Sequence, residues 1–247
     1  MSIEHRLRGL RRTLFRSMKG SLSWHIDPDE PLTWFSSGMA LQWIINEYNR
    51  KGRVKGGLLN KASGILAQQS FDDWMLEHNI LHDRTDPLLD SEHPVNRGKH
   101  WDFRLVDGKT IDVKALPPTA HHANINVNQS EVEGSGMSPC DFYILFRCMG
   151  DFTSTELADM EQLDRELCAL VPLTSPEKKN AFKANHDKLK AYINRIIDIR
   201  FVGWARKAEL IRAENLKSGP FGLYYSLAPP YPNTEAAFAE NVLHTEL

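Results

Sequence analysis

The sequence, 247 residues long, lacks several features that would assign it to a specialised class of protein. Its only cysteines, Cys140, Cys148 and Cys168, are odd in number and match no zinc spacing, which favours reduced thiols over a disulfide framework. No apolar run approaches the roughly 20 residues needed to span a bilayer, so we predict no membrane contact. The formal net charge is only −2, so we expect any nucleic-acid contact to depend on locally concentrated positive charge.

The composition that is present belongs to an ordinary globular protein, with 41% apolar and 25% charged residues. The chain is long enough for one elaborated domain, or for one domain with a small satellite. Its start is rich in arginine and lacks the apolar core of a secretory signal. We therefore predict a cytoplasmic protein.

The stretch from His100 to Ala115 predicts two short strands joined by an Asp-Gly turn. Its polar face includes two carboxylates and a lysine. The apolar positions alternate with polar ones and are Trp101, Phe103, Leu105, Ile111, Val113 and Ala115.

Two registers of this hairpin are possible. A two-residue loop would set Phe103 opposite Asp112. A three-residue loop ending in a left-handed Gly108 sets Phe103 opposite Ile111 and Asp102 opposite Asp112. We prefer the second register, because it places every apolar residue on one face.

The preferred register implies a chemistry. Adjacent carboxylates such as Asp102 and Asp112 repel unless a cation lies between them, and their hard oxygens suit Mg²⁺. The ammonium of Lys114 would hold a phosphate oxygen, or help to orient and deprotonate the attacking water. The pattern thus indicates metal-assisted hydrolysis of a phosphodiester, and the alternative is a surface hairpin with an ordinary Asp–Lys pair.

Asp102 followed by Asp112-Val113-Lys114 resembles the core motif of the PD-(D/E)xK nuclease superfamily, an acid followed by acid-x-Lys on a hairpin. Trp101 stands where the motif has proline. Upstream, Gly64-Ile65-Leu66-Ala67-Gln68 is similar to the Gly-x-x-Ala-Glu helix that opens many such nuclease cores. Gln68 takes the place of an acid that would join the metal site.

The resemblance, which spans about residues 60 to 230, implies an α/β (α+β) fold with a restriction-endonuclease-like core, in which helices flank a central mixed sheet. It also implies that Asp102, Asp112 and the Val113 carbonyl bind Mg²⁺, for which we expect Mn²⁺ to substitute. Lys114 would act on water and on the phosphate. Gln68 would complete the shell without charge, which leaves one or two metals open.

The size and the helical additions indicate a type II restriction enzyme, encoded by a prokaryote or a phage. Such an enzyme would cut double-stranded DNA as a homodimer. A structure-specific or repair nuclease is an alternative, and so is an inactive DNA-binding protein on the same fold. A zinc hydrolase using His78 and His82, spaced i, i+4, is a third reading.

We divide the chain into an N-terminal helical region, 1–58, and a nuclease core, 59–247, with a helical insertion at about 151–198. Within the first region we predict an amphipathic basic helix over 3–19, either docked on the domain or lying along DNA phosphates. A second helix is predicted from Ser36 or Ser37 to about Lys51, with Met39, Trp43, Ile44 and Tyr48 buried.

Two segments are candidates for DNA contact. Arg53, Lys55 and then Lys61 belong to a basic, glycine-rich stretch without acids, which would approach phosphates or serve as a linker. After the hairpin, a short polar strand would read adenine edges, although its residues are equally common in turns. Its candidate residues are Asn126, Asn128 and Gln129.

The remaining pattern predicts alternating helices and strands. We predict helices at about 62–77, 153–169, from Ser175 onward, 206–216 and 234–243. We predict strands over 141–148, buried on both faces, over 199–205, and over 222–227 at a sheet edge.

Overall fold

The structure is a computed structural model that describes residues 15–17, 21–26, 56–85, 101–129, 140–220 and 222–244, with single positions at 38, 40, 41, 44, 45, 48 and 132. Its strands are β1 Phe15–Ser17, β2 Trp24–Ile26, β3 His82–Arg84, β4 Phe103–Leu105, β5 Thr110–Leu116, β6 Ile125–Asn128, β7 Phe142–Met149, β8 Asp198–Arg206, β9 Leu216–Gly219 and β10 Gly222–Leu227. Its helices are α1 Leu58–Glu77, α2 Ser154–Leu170, α3 Pro176–Ile193, α4 Lys207–Leu210 and α5 Glu235–Phe238, which continues as a π-helical turn over Ala239–Leu243.

Seven strands form one mixed sheet in the order β1-β2-β8-β7-β5-β4-β3. Strands β5 and β7 run parallel, whereas the other neighbouring pairs are antiparallel. A parallel pair requires a crossover connection, and the one between β5 and β7 carries β6 out of the sheet. The prediction of a mixed central sheet flanked by helices is therefore confirmed.

The sheet separates two apolar cores, and β7 contributes to both. Ile144 and Phe146 face the core shared with α1, α2 and α3, while Tyr143 and Leu145 face a smaller core on the other side. All four are at most 2% exposed, as expected for a strand buried on both faces. The smaller core is covered by a three-stranded sheet in the order β6-β10-β9.

Helix α1 lies against the first face and is anchored at its beginning. Its N-cap, Gly57, provides no side chain, and the N–H of Leu59 instead donates to the Asp164 carboxylate on α2 at 3.1 Å. A Cβ at Gly57 would overlap Asp164. Leu66, Ala67, Phe71 and Trp74, the four residues predicted to be buried on this helix, are at most 1% exposed.

Helices α2 and α3 begin where the capping residues predict. The Thr153 hydroxyl accepts from the Glu156 N–H, and the Glu156 carboxylate accepts from the Thr153 N–H in return. Ser175 accepts from the Lys178 N–H, and Pro176 follows at the first helical position. The predicted helical insertion is thus a helical hairpin packed on the larger core.

Three predictions need correction. The helix over 3–19 is wrong at Phe15–Ser17, which pairs with β2 as a strand, and the rest of that segment lies outside the described residues. The helix over 206–216 ends at Leu210, because the Asn215 amide takes the Glu209 and Leu210 carbonyls. Strand β10 is central in the small sheet, because β9, which was not predicted, pairs along its other edge.

The N-terminal region contributes β1 and β2 to the main sheet, and Trp24 and Ile26 are at most 1% exposed. The described positions 38, 40, 41, 44, 45 and 48 are helical, as predicted. Ile44 is buried as predicted, whereas Tyr48 is only half-buried. Met39 and Trp43 lie outside the described residues. Over the part of the chain that is described, we find no helix both long and apolar enough to cross a bilayer.

Candidate active site

The hairpin of β4 and β5 has the preferred register. Phe103 pairs with Ile111, and Arg104 pairs with Thr110. Beyond β4, the Leu105 N–H still donates to the Lys109 carbonyl at 2.9 Å, so the loop itself has three residues, 106–108, and ends at Gly108, whose φ is +88°. The pairing and the left-handed glycine are both confirmed. The face under α1 carries five of the six predicted apolar residues, Phe103, Leu105, Ile111, Val113 and Ala115. The prediction is wrong for Trp101, which packs against the smaller core on the other face, because the chain bends at residues 101 and 102 before β4 begins.

Asp102 lies one residue before β4, where the chain bends. Its N–H donates to the Ile111 carbonyl at 3.0 Å, and its carboxylate accepts from the Val113 N–H at 2.7 Å. The pairing of β4 with β5 stops at Phe103, so Asp102 and Asp112 are not a paired cross-strand couple as we predicted. The Asp102 carboxylate instead takes the place of the next strand residue along the edge of β5.

Asp112 and Lys114 lie on β5 and point away from the larger core. Their neighbours on the strand, Ile111 and Val113, are buried on the α1 face. Because side chains alternate along a strand, Asp112 and Lys114 point to the other face. The Lys114 ammonium lies 2.8 Å from the Asp112 carboxylate, with the two side chains 30% and 19% exposed. The ion pair is accessible to solvent from one side.

Gln68 brings α1 into the same site. Its side-chain amide hydrogen-bonds to the Asp102 carboxyl, although the two residues belong to different elements. The four side chains predicted to be catalytic therefore lie together at the β5 edge beyond the end of β4. They are Gln68, Asp102, Asp112 and Lys114.

The electrostatics of this cluster are dominated by burial and by the closeness of two acids. Burial, and then the negative charge of Asp112, raises the pKa of Asp102 to about 8. The Lys114 charge and the hydrogen bonds from Val113 and Gln68 oppose this shift without cancelling it. The Asp102 carboxyl therefore holds its proton to a higher pH than an ordinary aspartate does.

The oxygen atoms at this site are of the chemical type that hard divalent cations prefer as ligands. Two carboxylates supply oxygen ligands, and the Val113 carbonyl points to the same strand edge as its N–H, toward Asp102. The described residues contain no group of three or more His, Cys, Asp or Glu side chains placed to hold a metal. The candidate set therefore carries two acids, and Gln68 adds a polar group without charge.

The predicted DNA-contact residues are more dispersed. Lys61 lies on α1, seven residues before Gln68 and so on nearly the same helix face. Asn126 and Asn128 lie on β6 in the small sheet, and Gln129 follows directly. Asn126 and Asn128 thus lie on a different sheet from the acids, and Gln129 lies just beyond that sheet. Arg53 and Lys55 lie outside the described residues.

The zinc reading based on His78 and His82 is not supported. His78 stacks on Trp74 just beyond the end of α1, whereas His82 lies on β3. Both ring nitrogens of His82 are engaged, with the Ile80 carbonyl and with the Asp72 carboxylate, each at 2.8 Å. The two histidines are therefore not neighbours on one helix face.

Sequence reasoning missed three neighbours of the cluster. The Thr85 N–H donates to the Asp102 carbonyl at 2.8 Å, and its hydroxyl donates to the Trp101 carbonyl. The Cys140 thiol is buried, and burial, with the charges of Asp112 and Asp102, raises its pKa. Arg104 lies on the same sheet face as Asp112. The short polar strand β3, which ends one residue before Thr85, was the one available signal, but three residues are too few to show periodicity.

Comparison of the chain with family models, curated proteins and solved structures finds no match. The nuclease resemblance therefore continues to depend on the motif residues and their placement alone.

Proposed function

We propose that this protein is a divalent-metal-dependent DNA endonuclease with a PD-(D/E)xK-type active site. The observation that carries the proposal is the meeting of Asp102, Asp112, Lys114 and Gln68 at an accessible strand edge. These residues come from a helix, a bend and a strand. An ordinary surface hairpin would not need to bury one acid beside another.

Each residue has a distinct role in the proposed hydrolysis. Asp102 and Asp112, with the Val113 carbonyl, would hold Mg²⁺ or Mn²⁺. The cation, when bound, would lower the pKa of water and offset the charge that develops on the phosphate. Gln68 donates to Asp102 and steadies its carboxylate for that contact.

Lys114 would turn from Asp112 toward the substrate. Its ammonium lies 2.8 Å from Asp112, and a cation on that carboxylate would release it to donate to a phosphate oxygen or to the attacking water. The water oxygen forms a bond to phosphorus while the ester P–O bond breaks. The leaving oxygen takes up a proton.

Within this class we propose a type II restriction enzyme that acts as a homodimer, because cleavage of both strands at a symmetric site calls for two centres. In addition to the β-hairpin that carries the acids, the chain has a seven-stranded sheet and a helical hairpin. These additions support an elaborated enzyme. A cleavage pattern of discrete bands on long DNA would support sequence specificity. A smear would indicate a nonspecific or repair nuclease instead.

The second candidate is a DNA-binding protein that has lost cleavage. It is favoured by one observation, that a neutral amide, Gln68, occupies the place of a third acid among the described residues. Such a protein would bind DNA without metal-dependent hydrolysis.

A plasmid-nicking assay separates the two candidates. The wild type, Lys114→Ala and the control Lys217→Ala are incubated with supercoiled DNA, with Mg²⁺, with Mn²⁺ or with EDTA. Lys217 is an exposed lysine on β9 whose ammonium donates to the Glu214 carbonyl, outside the cluster. We expect metal-dependent nicking that Lys114→Ala loses and Lys217→Ala retains; DNA binding without nicking would support the second candidate.

A further inference from the structure

Arg104 lies on the same face of the sheet as Asp112 and Lys114. Phe103 and Leu105, its neighbours on β4, are 2% and 6% exposed and point into the larger core. Alternation therefore turns Arg104 to the opposite face, where it pairs with Thr110 of β5. Asp112 is two residues further along β5, so the two backbones are about 7–8 Å apart on one surface.

The guanidinium of Arg104 is held toward the metal-site end of β4. Its central carbon lies 5.2 Å from the centre of the Trp101 ring, and Trp101 immediately precedes Asp102. Such a cation–π contact orients a flat guanidinium over the ring while leaving its edge available. The contact holds the guanidinium beside the residue that precedes Asp102, on the face that also carries Asp112 and Lys114.

Arg104 is only loosely paired with an acid on this surface. Asp112 is satisfied by Lys114 at 2.8 Å, and Asp141 accepts from the N–H and the hydroxyl of Thr110, both at 2.9 Å. Arg104 pairs only loosely with Asp83, since nitrogen and oxygen are 3.6 Å apart with the side chains 52% and 45% exposed. This distance is longer than a charge-assisted hydrogen bond.

We propose that Arg104 binds the DNA phosphate adjacent to the scissile phosphate on the same strand. Trp101 is its positioning residue. This inference rests on the proposed function. A phosphate offers two oxygens as acceptors to the two-pronged guanidinium. The Asp83 carboxylate, at 3.6 Å, is too far away to accept a short hydrogen bond from it. Binding there would place the neighbouring phosphodiester over Asp112 and Lys114.

The test measures binding separately from hydrolysis. A fluorescein-labelled 20-base-pair duplex is titrated with the full-length protein in EDTA, at several salt concentrations. We expect Arg104→Ala to weaken binding about tenfold and to lower the slope of log Kd against log salt by about one, as for the loss of one phosphate contact. Arg104→Lys should keep the slope and lose part of the affinity, because an ammonium cannot bind in two-pronged fashion.

Arg200→Ala is the matched control. Arg200 is also a half-exposed strand arginine, 51% exposed, but it lies on β8 and pairs with Asp198 at 2.8 Å. We expect its affinity and salt slope to match those of the wild type. Trp101→Leu keeps every charge, so it should weaken binding while leaving the slope unchanged.

The outcomes are distinguishable. If Arg104→Ala binds like the wild type, or loses no more than Arg200→Ala, the Arg104 proposal is wrong even when metal-dependent nicking persists. If Arg104→Ala shows the expected loss and no variant nicks DNA, the phosphate contact stands and the hydrolase proposal fails. If the wild type binds no duplex, both proposals fail.

Discussion

The Asp102 carboxylate accepts a hydrogen bond from the Val113 N–H at 2.7 Å, which closes the edge of β5 with a side chain where a strand would otherwise continue. The contact ties the first acid of the cluster to the residue between Asp112 and Lys114. A change in the length of the hairpin loop would shift Asp102 relative to all three. The following predictions depend on this arrangement.

Replacement of Lys114 by alanine should lower metal-dependent nicking by roughly 10²–10⁴-fold, the range for loss of a group that acts on the attacking water or the transition state. Stability should also fall, because Lys114 is only 30% exposed and its removal takes the cation away from the Asp112 carboxylate, which is 19% exposed. Rates of plasmid nicking and the Tm of each variant check both parts. Equal loss in Lys217→Ala would mean that the effect is not specific to the cluster.

Asp102→Asn should stabilise the metal-free protein above pH 8. The folded-state pKa of Asp102 is raised to about 8 from an ordinary value near 3.8. Between these values, unfolding releases a proton, so this carboxyl makes the fold less stable as the pH rises through that range. Asparagine removes the titration and keeps an oxygen for the Val113 N–H.

Thermal unfolding at pH 5 and at pH 9 measures this effect. The Tm advantage of Asp102→Asn should be small at pH 5 and several degrees at pH 9. Asp107 provides the opposite control, because hydrogen bonding to Lys109 lowers its pKa. Asp107→Asn should therefore give no gain at pH 9, and a gain equal to that of Asp102→Asn would contradict the assignment.

Binding of Mg²⁺ or Mn²⁺ should release about one proton from the protein below pH 8, because the cation displaces the proton of Asp102. Affinity should therefore rise with pH up to about 8. Isothermal titration in two buffers of different ionisation enthalpy counts the protons released. If the Asp112→Asn variant binds one equivalent of the cation with wild-type affinity, Asp112 is not a metal ligand.

Gln68→Glu should add a third acid to the cluster. We expect a lower Tm without metal, since a carboxylate would replace an amide that donates to Asp102. We also expect a larger rise in Tm on addition of Mg²⁺ than in the wild type. Gln68→Ala is the comparison, and it should show neither the larger metal effect nor a gain in nicking.

Substitution of Gly108 tests the left-handed turn of the hairpin, and substitution of Gly64 on α1 is the comparison. Gly108→Ala meets no atom within 4 Å, but its φ of +88° should cost about 1 kcal/mol of the free energy of unfolding. Gly64→Ala on α1 also meets no atom within 4 Å and should gain roughly 0.5–1 kcal/mol. Denaturant unfolding of both measures the contrast, and a stabilised Gly108→Ala would contradict the left-handed turn.

The sequence by itself determined the hairpin register, the buried strand β7 and the beginnings of α2 and α3. These features depend on local physical signals, namely alternation, a left-handed glycine and capping side chains, which act over a few residues. The same signals predicted that Asp102, Asp112 and Lys114 lie near one another, although Asp102 reaches β5 through its side chain and not through strand pairing.

Only the tertiary structure decided the rest. Strands β1, β3 and β9 have three or four residues each, too few for a period to emerge, and they form because neighbouring strands supply their hydrogen bonds. The approach of Gln68 to Asp102 depends on the anchoring of α1 by Asp164, more than 90 residues away along the chain. The placement of Arg104 on the face that carries Asp112 and Lys114 was likewise set by packing of Phe103 and Leu105 beneath α1.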